Sequence, residues 1–288
     1  MTDDTPSAPR LPKKSTIAVL GIAIGMLSAF LGIGGGVLVV PLLIVGFRVD
    51  PRVATGTSLG VVAFVVGTSV VVELLNVFFG SRPVQPAWLA AVLIAPTSMF
   101  AASFAAPLVR KIPQAYLRAG FAVVLWIAAY KLSGIGASAG GGEGWFEYAT
   151  LSGAALLLLP LLGLIVGTIS ALVGIGGGMV LIPALALLFS DMNALASRST
   201  SLLIVLPTAI MGYLRHRAQG TAVQSIVRTL APTCAAGAVL GSLLVHYVAA
   251  DWFPKAFAVF MFLAGLRLIM QKKARASAAA PGDSDSQA

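Results

Sequence analysis

Long apolar runs, separated by short stretches that carry basic residues, glycine or proline, occupy most of the chain. They fall at about residues 16 to 47, 54 to 79, 86 to 109, 115 to 134, 149 to 189, 196 to 214, 223 to 249 and 252 to 270. Runs of this length and apolarity predict membrane-spanning helices. The first run is too long for one crossing: at ~1.5 Å per residue its thirty or so residues make a helix of ~45 Å, against a hydrocarbon core of ~30 Å. Gly34, Gly35 and Gly36 divide it into about sixteen residues before and about eleven after, and the second part reaches across only about half a bilayer. These lengths predict a re-entrant hairpin with the glycines at its tip.

The pattern repeats. Leu20 to Pro41 and Leu162 to Pro183, aligned without gaps, are identical at eleven of twenty-two positions, among them Ser28/Ser170, Ala29/Ala171 and the whole Gly-Ile-Gly-Gly-Gly segment, Gly32 to Gly36 and Gly174 to Gly178. Thr57-Ser58-Leu59 then matches Thr200-Ser201-Leu202, Ala95-Pro96-Thr97 matches Ala231-Pro232-Thr233, and Phe121-Ala122-Val123 matches Phe257-Ala258-Val259. Each half is a four-segment unit. The expected organisation is a disordered tail at residues 1 to 15, a first membrane repeat at 16 to 134, a Gly/Ala-rich linker at 135 to 148, a second repeat at 149 to 270 and a disordered tail at 271 to 288. Paired glycine-interrupted segments in corresponding positions of two halves point to a transporter's binding site.

Charge chooses between topologies. If all eight segments cross, the nineteen Lys and Arg divide twelve to seven between the two faces; if segments one and five return to the side they entered, they divide fifteen to four. Short cytoplasmic loops collect Lys and Arg, so the hairpin topology is preferred, with both termini cytoplasmic and the chain in the inner membrane. Three crossings per half, an odd number, set the halves in opposite orientations. The predicted fold is an all-α membrane protein of about eight hydrophobic segments in two inverted repeats, with segments one and five broken at the glycine motifs.

Composition agrees: 58% of the 288 residues are hydrophobic, 10% are charged, and the mean hydropathy is +0.95. The net charge of +9 sits between apolar runs with no nucleic-acid motif, so it reads as loop and headgroup chemistry. Cys234 is the single cysteine, which excludes an intrachain disulfide and a CxxC motif. The N-terminus lacks a cleavage-site pattern, and the first segment is expected to be retained. No His, Cys and carboxylate cluster at metal-ligand spacing, and no cofactor is expected.

The expected ligand follows from the hairpin tips. Half-helices starting after Gly36 and Gly178 present free N–H groups and about half a positive charge near the bilayer midplane, which suits an anion. The other reading makes these glycines small-residue packing positions; the duplication favours the site. Thr57, Ser58, Thr200 and Ser201 either donate hydroxyls to an oxyanion or cap helices. Arg198 precedes the second cluster, where the first half carries Thr55, and is a candidate gate. Glu73, the acid inside a predicted span, is either a proton-coupling group or, about six residues from the segment end, a side chain that reaches the interface; the second reading is preferred. Neither glycine motif is a nucleotide-binding pattern, since Val37 and Met179 stand where a dinucleotide fingerprint needs glycine.

The doubled G-x-x-S-A-x-x-G-I-G-G-G-x-x-x-x-P signature, Gly25 to Pro41 and Gly167 to Pro183, followed by T-S-L at Thr57 and Thr200, resembles the TauE/SafE sulfite-exporter family across residues 16 to 270. The resemblance implies a multipass inner-membrane carrier, not an enzyme, for small sulfur-containing anions such as sulfite, sulfonates or sulfoacetate, driven by a proton or other ion gradient. It places Gly34, Gly35, Gly36, Gly176, Gly177 and Gly178 at the hairpin tips, with Thr57, Ser58, Thr200 and Ser201 beside them. A carrier for a non-sulfur anion or a metal ion, and a non-transporting membrane scaffold, are the competing readings.

Overall fold

A computed structural model describes residues 14–80, 85–108, 153–174, 176–189 and 192–247, with a few positions between 126 and 266. The predicted tails, the segment at 115 to 134, most of that at 252 to 270 and the linker at 135 to 148 lie outside the described residues. The described chain is helical: α1 Lys14–Leu31, α2 Gly36–Pro41 continued by a π-helical turn Leu42–Gly46, α3 Pro51–Phe79, α4 Trp88–Leu108, α5 Gly153–Val173, α6 Gly178–Leu188, α7 Ala194–Ala218 and α8 Gln224–Tyr247. α3, α7 and α8 are long and apolar enough to cross a membrane, and α1, α2 with its π turn, α4 and α5 contain shorter apolar helices. Large apolar side chains on their outer faces, including Val19, Phe64, Phe79, Phe100 and Leu157, are exposed, as lipid contact requires.

The long first and fifth runs break where the glycines stand. α1 ends in a Schellman motif: Gly32 takes φ +71, Ile33 N–H donates to the Ser28 carbonyl and Gly32 N–H to that of Ala29. The chain re-enters helix after Gly35, whose φ of +87 no residue with a β-carbon adopts cheaply. Between α5 and α6 the glycine conformations recur, with Gly174, Gly176 and Gly177 at φ +70, +85 and +81, and Gly174 N–H donates to the Ser170 carbonyl. Elsewhere the segment starts are ordinary: Asp50 caps α3 through Arg52 N–H with Pro51 at its first position, and Asn193 caps α7 through Ala196 N–H.

The halves interlock rather than sit side by side. α1 packs along α8 of the other half through small residues: a β-carbon on Gly25 would strike the Cys234 backbone, and on Gly237 and Gly241 the backbones of Ile22 and Met26. α5 meets α4 in the equivalent way, Gly163 against Thr97 and Gly167 against Ser98. Close approach without a β-carbon is how membrane helices gain packing energy in the absence of a hydrophobic drive between them. Gly25 and Gly167 are therefore packing positions, while Gly34, Gly35, Gly176 and Gly177 serve the turns.

α3 and α7, the second helices of the two halves, pack together in the centre. Gly56 lies against His216, Gly60 against Tyr213, Leu59 against Gly212 and Glu73 against Arg198, so early positions of one meet late positions of the other and the two run antiparallel. Their seam buries Leu59, Val62, Val66, Val70, Leu202, Val205 and Ala209.

Candidate functional site

Both glycine turns converge on the middle of this seam. A β-carbon at Gly34 would stand 3.2 Å from Val62 and Val66 and 3.3 Å from Val205; one at Gly176 would stand 2.9 Å from Val62 and 3.2 Å from Val205. Val62 and Val205 are themselves equivalent positions, since the Thr57/Thr200 match continued along the helices pairs them. The turns also touch each other: a β-carbon on Gly178 would lie 2.8 Å from the Gly32 carbonyl and 3.1 Å from Ile33 Cα. Gly32, Gly34, Gly35, Gly36, Gly176, Gly177 and Gly178 are buried.

At each half-helix start the backbone ladder begins late. Leu38 and Val39 N–H groups bond the Gly35 carbonyl, and those of Val180 and Leu181 bond Gly177, so Gly36 and Val37, and Gly178 and Met179, precede the helical ladder. Around these starts lie buried serine hydroxyls with no hydrogen-bond partner: Ser28, Ser170 and Ser201. A β-carbon at Gly35 would be 2.8 Å from Ser28 Oγ, one at Gly177 3.5 Å from Ser170 Cβ, and one at Gly178 3.1 Å from Ser201 Oγ. An unpartnered hydroxyl buried in protein costs about 1–3 kcal/mol, and three of those in this structure lie around the two helix starts.

The Thr-Ser pairs divide differently from the expectation. None caps a helix, because α3 and α7 begin at Pro51 and Ala194. Thr57 Oγ1 accepts from Val223 N–H at 3.0 Å and Thr200 Oγ1 from Ala87 N–H at 2.8 Å, equivalent bonds that tie each second helix to the start of the other half's third. Ser58 donates to the Gly174 carbonyl at 2.8 Å. Three of the four hydroxyls are thus engaged with backbone, and only that of Ser201 has no hydrogen-bond partner. Ser28 and Ser170 were visible in the sequence as repeated positions of the signature, but a repeated serine carries no sign of whether its hydroxyl is bonded.

Glu73 and Arg198, separated by 125 positions, form a buried ion pair. Arg198 Nη1 lies 3.0 Å from Glu73 Oε2, its Nη2 donates to the Ala29 carbonyl at 2.6 Å, and its Nε to the Ala29 and Phe30 carbonyls at 3.1 Å. Ser199 Oγ donates to Glu73 Oε1. Glu73 is 4% exposed, which overturns the reading that it reaches the membrane interface: the helix around it faces α7 and α8, so its distance from the segment end does not set its surroundings. Arg198, fully buried, is spent on the carbonyl end of α1, where a cation complements the helix dipole. In the other half the equivalent carbonyl, Ala171, faces His216 Nε2 at 3.4 Å, and His216 Nδ1 is held 2.9 Å from Thr221 Oγ1. One broken helix therefore ends on an ion pair and the other on an imidazole.

An all-helical membrane protein of two interlocked equivalent halves, with broken helices meeting at its centre, has the architecture of a membrane transporter. The chain belongs to the sulfite exporter TauE/SafE family, whose model matches residues 2–132 and 159–287, one match per half. No curated protein and no solved structure matches it.

Proposed function

We propose that this chain is a secondary transporter, an exporter, of a small sulfur-containing anion such as sulfite, a sulfonate or sulfoacetate, held between the amino-terminal ends of α2 and α6. The observation that carries this reading is the set of unpartnered buried hydroxyls of Ser28, Ser170 and Ser201 beside the two left-handed glycine turns. Hydroxyl and backbone N–H groups donate hydrogen bonds, and two helix starts add positive potential without a formal cation. The family supplies the sulfur-anion class. Because the turns are buried, the solute reaches them only when the halves part, which is alternating access.

In this reading α1 with α2, and α5 with α6, are re-entrant hairpins; the antiparallel run of α3 and α7 supports inverted repeats, and the Lys and Arg distribution supports cytoplasmic termini in the inner membrane. Single cysteines placed beside Arg52 and Glu143, in a Cys234→Ala background, should be labelled by an impermeant maleimide from the cytoplasmic and the opposite side respectively. Labelling of both from one side would exclude the topology.

The function is tested by flux of radiolabelled sulfite, taurine, sulfoacetate and acetate into proteoliposomes. At least one sulfur anion should be carried faster than acetate, and Ser170→Ala or Ser201→Ala should slow it about tenfold, the effect of removing one hydrogen bond to a charged group. No flux of any of the four by folded protein would favour a scaffold.

A further inference from the structure

The cluster at the end of α1 holds a feature that the anion site does not use. His246, in the last turn of α8, places Nε2 3.4 Å from Glu73 Oε2, the same oxygen that takes Arg198, yet makes no hydrogen bond there. A proton shared between this imidazole nitrogen and the carboxylate makes a charge-assisted bond. The His246 side chain is 13% exposed and that of Glu73 5%, so His246 is the more accessible of the two.

We propose that Glu73 and His246 together bind one transported proton, and that this proton is what couples the anion to the membrane's proton gradient. With Glu73 ionised, Arg198 charged and His246 neutral, the cluster has no net charge. One proton, taken from water onto His246 Nε2 and shared with Glu73 Oε2, leaves it at +1. Arg198 carries that charge to the first glycine turn, because its side-chain stem lies against Gly32 and its guanidinium grips Ala29 and Phe30. An anion at the turn then faces a cationic rather than a neutral cluster across a low-dielectric interior, so proton and anion each strengthen the other's binding by the same factor.

The groups facing Glu73 are few among the described residues. α7 supplies Arg198 and Ser199 and α8 supplies His246, while α2 and α5 contain no titratable side chain and α1 has only Lys14 at its far end. The second half cannot duplicate the device, since Glu73 is matched by His216 and Arg198 by Thr55. One proton site serves two half-sites.

The inference rests on the anion reading, and the test separates them. Proteoliposomes containing an internal pH dye are given sulfoacetate, whose charge is constant across the neutral range, alongside sulfite. The intact protein should move a proton with each sulfoacetate, and its initial rate should rise about tenfold from mildly alkaline to mildly acidic pH, within the usual range of site coupling. His246→Gln should still carry sulfoacetate but lose both the accompanying proton and the pH dependence; Glu73→Gln, which leaves Arg198 uncompensated, should bind the anion equally well at every pH. Sulfoacetate flux by the intact protein without proton movement overturns the coupling and leaves the anion reading standing, and it decides the matter even if a variant fails to fold. Unaltered proton movement in His246→Gln also overturns it. Flux of neither sulfur anion overturns both.

Discussion

Leucine in place of Gly35 or Gly177 is expected to abolish anion flux while leaving the protein inserted and helical. Each glycine sits at the left-handed start of a half-helix, φ +87 and +81, where an L-residue is strained by ~1–2 kcal/mol. The strain is the smaller effect. A β-carbon on Gly35 would be 2.8 Å from Ser28 Oγ, and on Gly177 2.7 Å from Val166 Cγ1, so the rest of a leucine has to occupy the space in front of the free N–H groups or push the turn aside. Flux in proteoliposomes, read with circular dichroism and gel filtration in detergent, separates loss of the site from loss of the fold. Gly220 supplies the control: its φ is +69, but a β-carbon there meets nothing, so Gly220→Ala carries the strain without the obstruction and should transport nearly normally. Flux retained by the leucine variants would remove the turns from the mechanism.

The second large effect falls on stability. Glu73→Ala leaves the Arg198 guanidinium buried with only the two α1 carbonyls for company, and stranding one member of a buried ion pair costs about 3–5 kcal/mol. Removing both charges is a different experiment, since apolar side chains of similar size replace a buried pair at little or no cost. The double variant Glu73→Leu, Arg198→Met should therefore recover much of the loss. It should not recover all of it, because the Ala29 and Phe30 carbonyls at the end of α1 lose their charged donor, worth about 1.5–3 kcal/mol. Unfolding of the parent, the two single variants and the double variant in one detergent gives the coupling directly. A single Glu73→Ala variant as stable as its parent would show that the pair is not a buried one.

These two predictions fall on opposite sides of what a sequence can disclose. The glycine turns were legible because their cause is local: glycine reaches positive φ cheaply, thirty apolar residues are too many for one straight crossing, and the repetition of Gly32 to Gly36 at Gly174 to Gly178 excludes coincidence. Membrane class and the duplication come from hydropathy and identity along the chain, which need no knowledge of contacts. The roles of the polar side chains were not legible in that way. Ser58 and Ser201 are equivalent in the repeated T-S-L segments, yet one hydroxyl donates to the Gly174 carbonyl across the molecule and the other is unbonded.

Glu73, read by its distance from a helix end, belonged at the interface. Read by its neighbours, it belongs to an ion pair with a residue 125 positions away, beside a histidine from a third helix. The sequence alone determined a duplicated membrane protein with two broken helices, since backbone sterics and hydrophobicity act on neighbouring residues. Only the tertiary structure decided which hydroxyls are free and how Glu73, Arg198 and His246 meet, because the partner of a buried polar group is set by the antiparallel packing of α3 on α7 and the seating of α8 against α1.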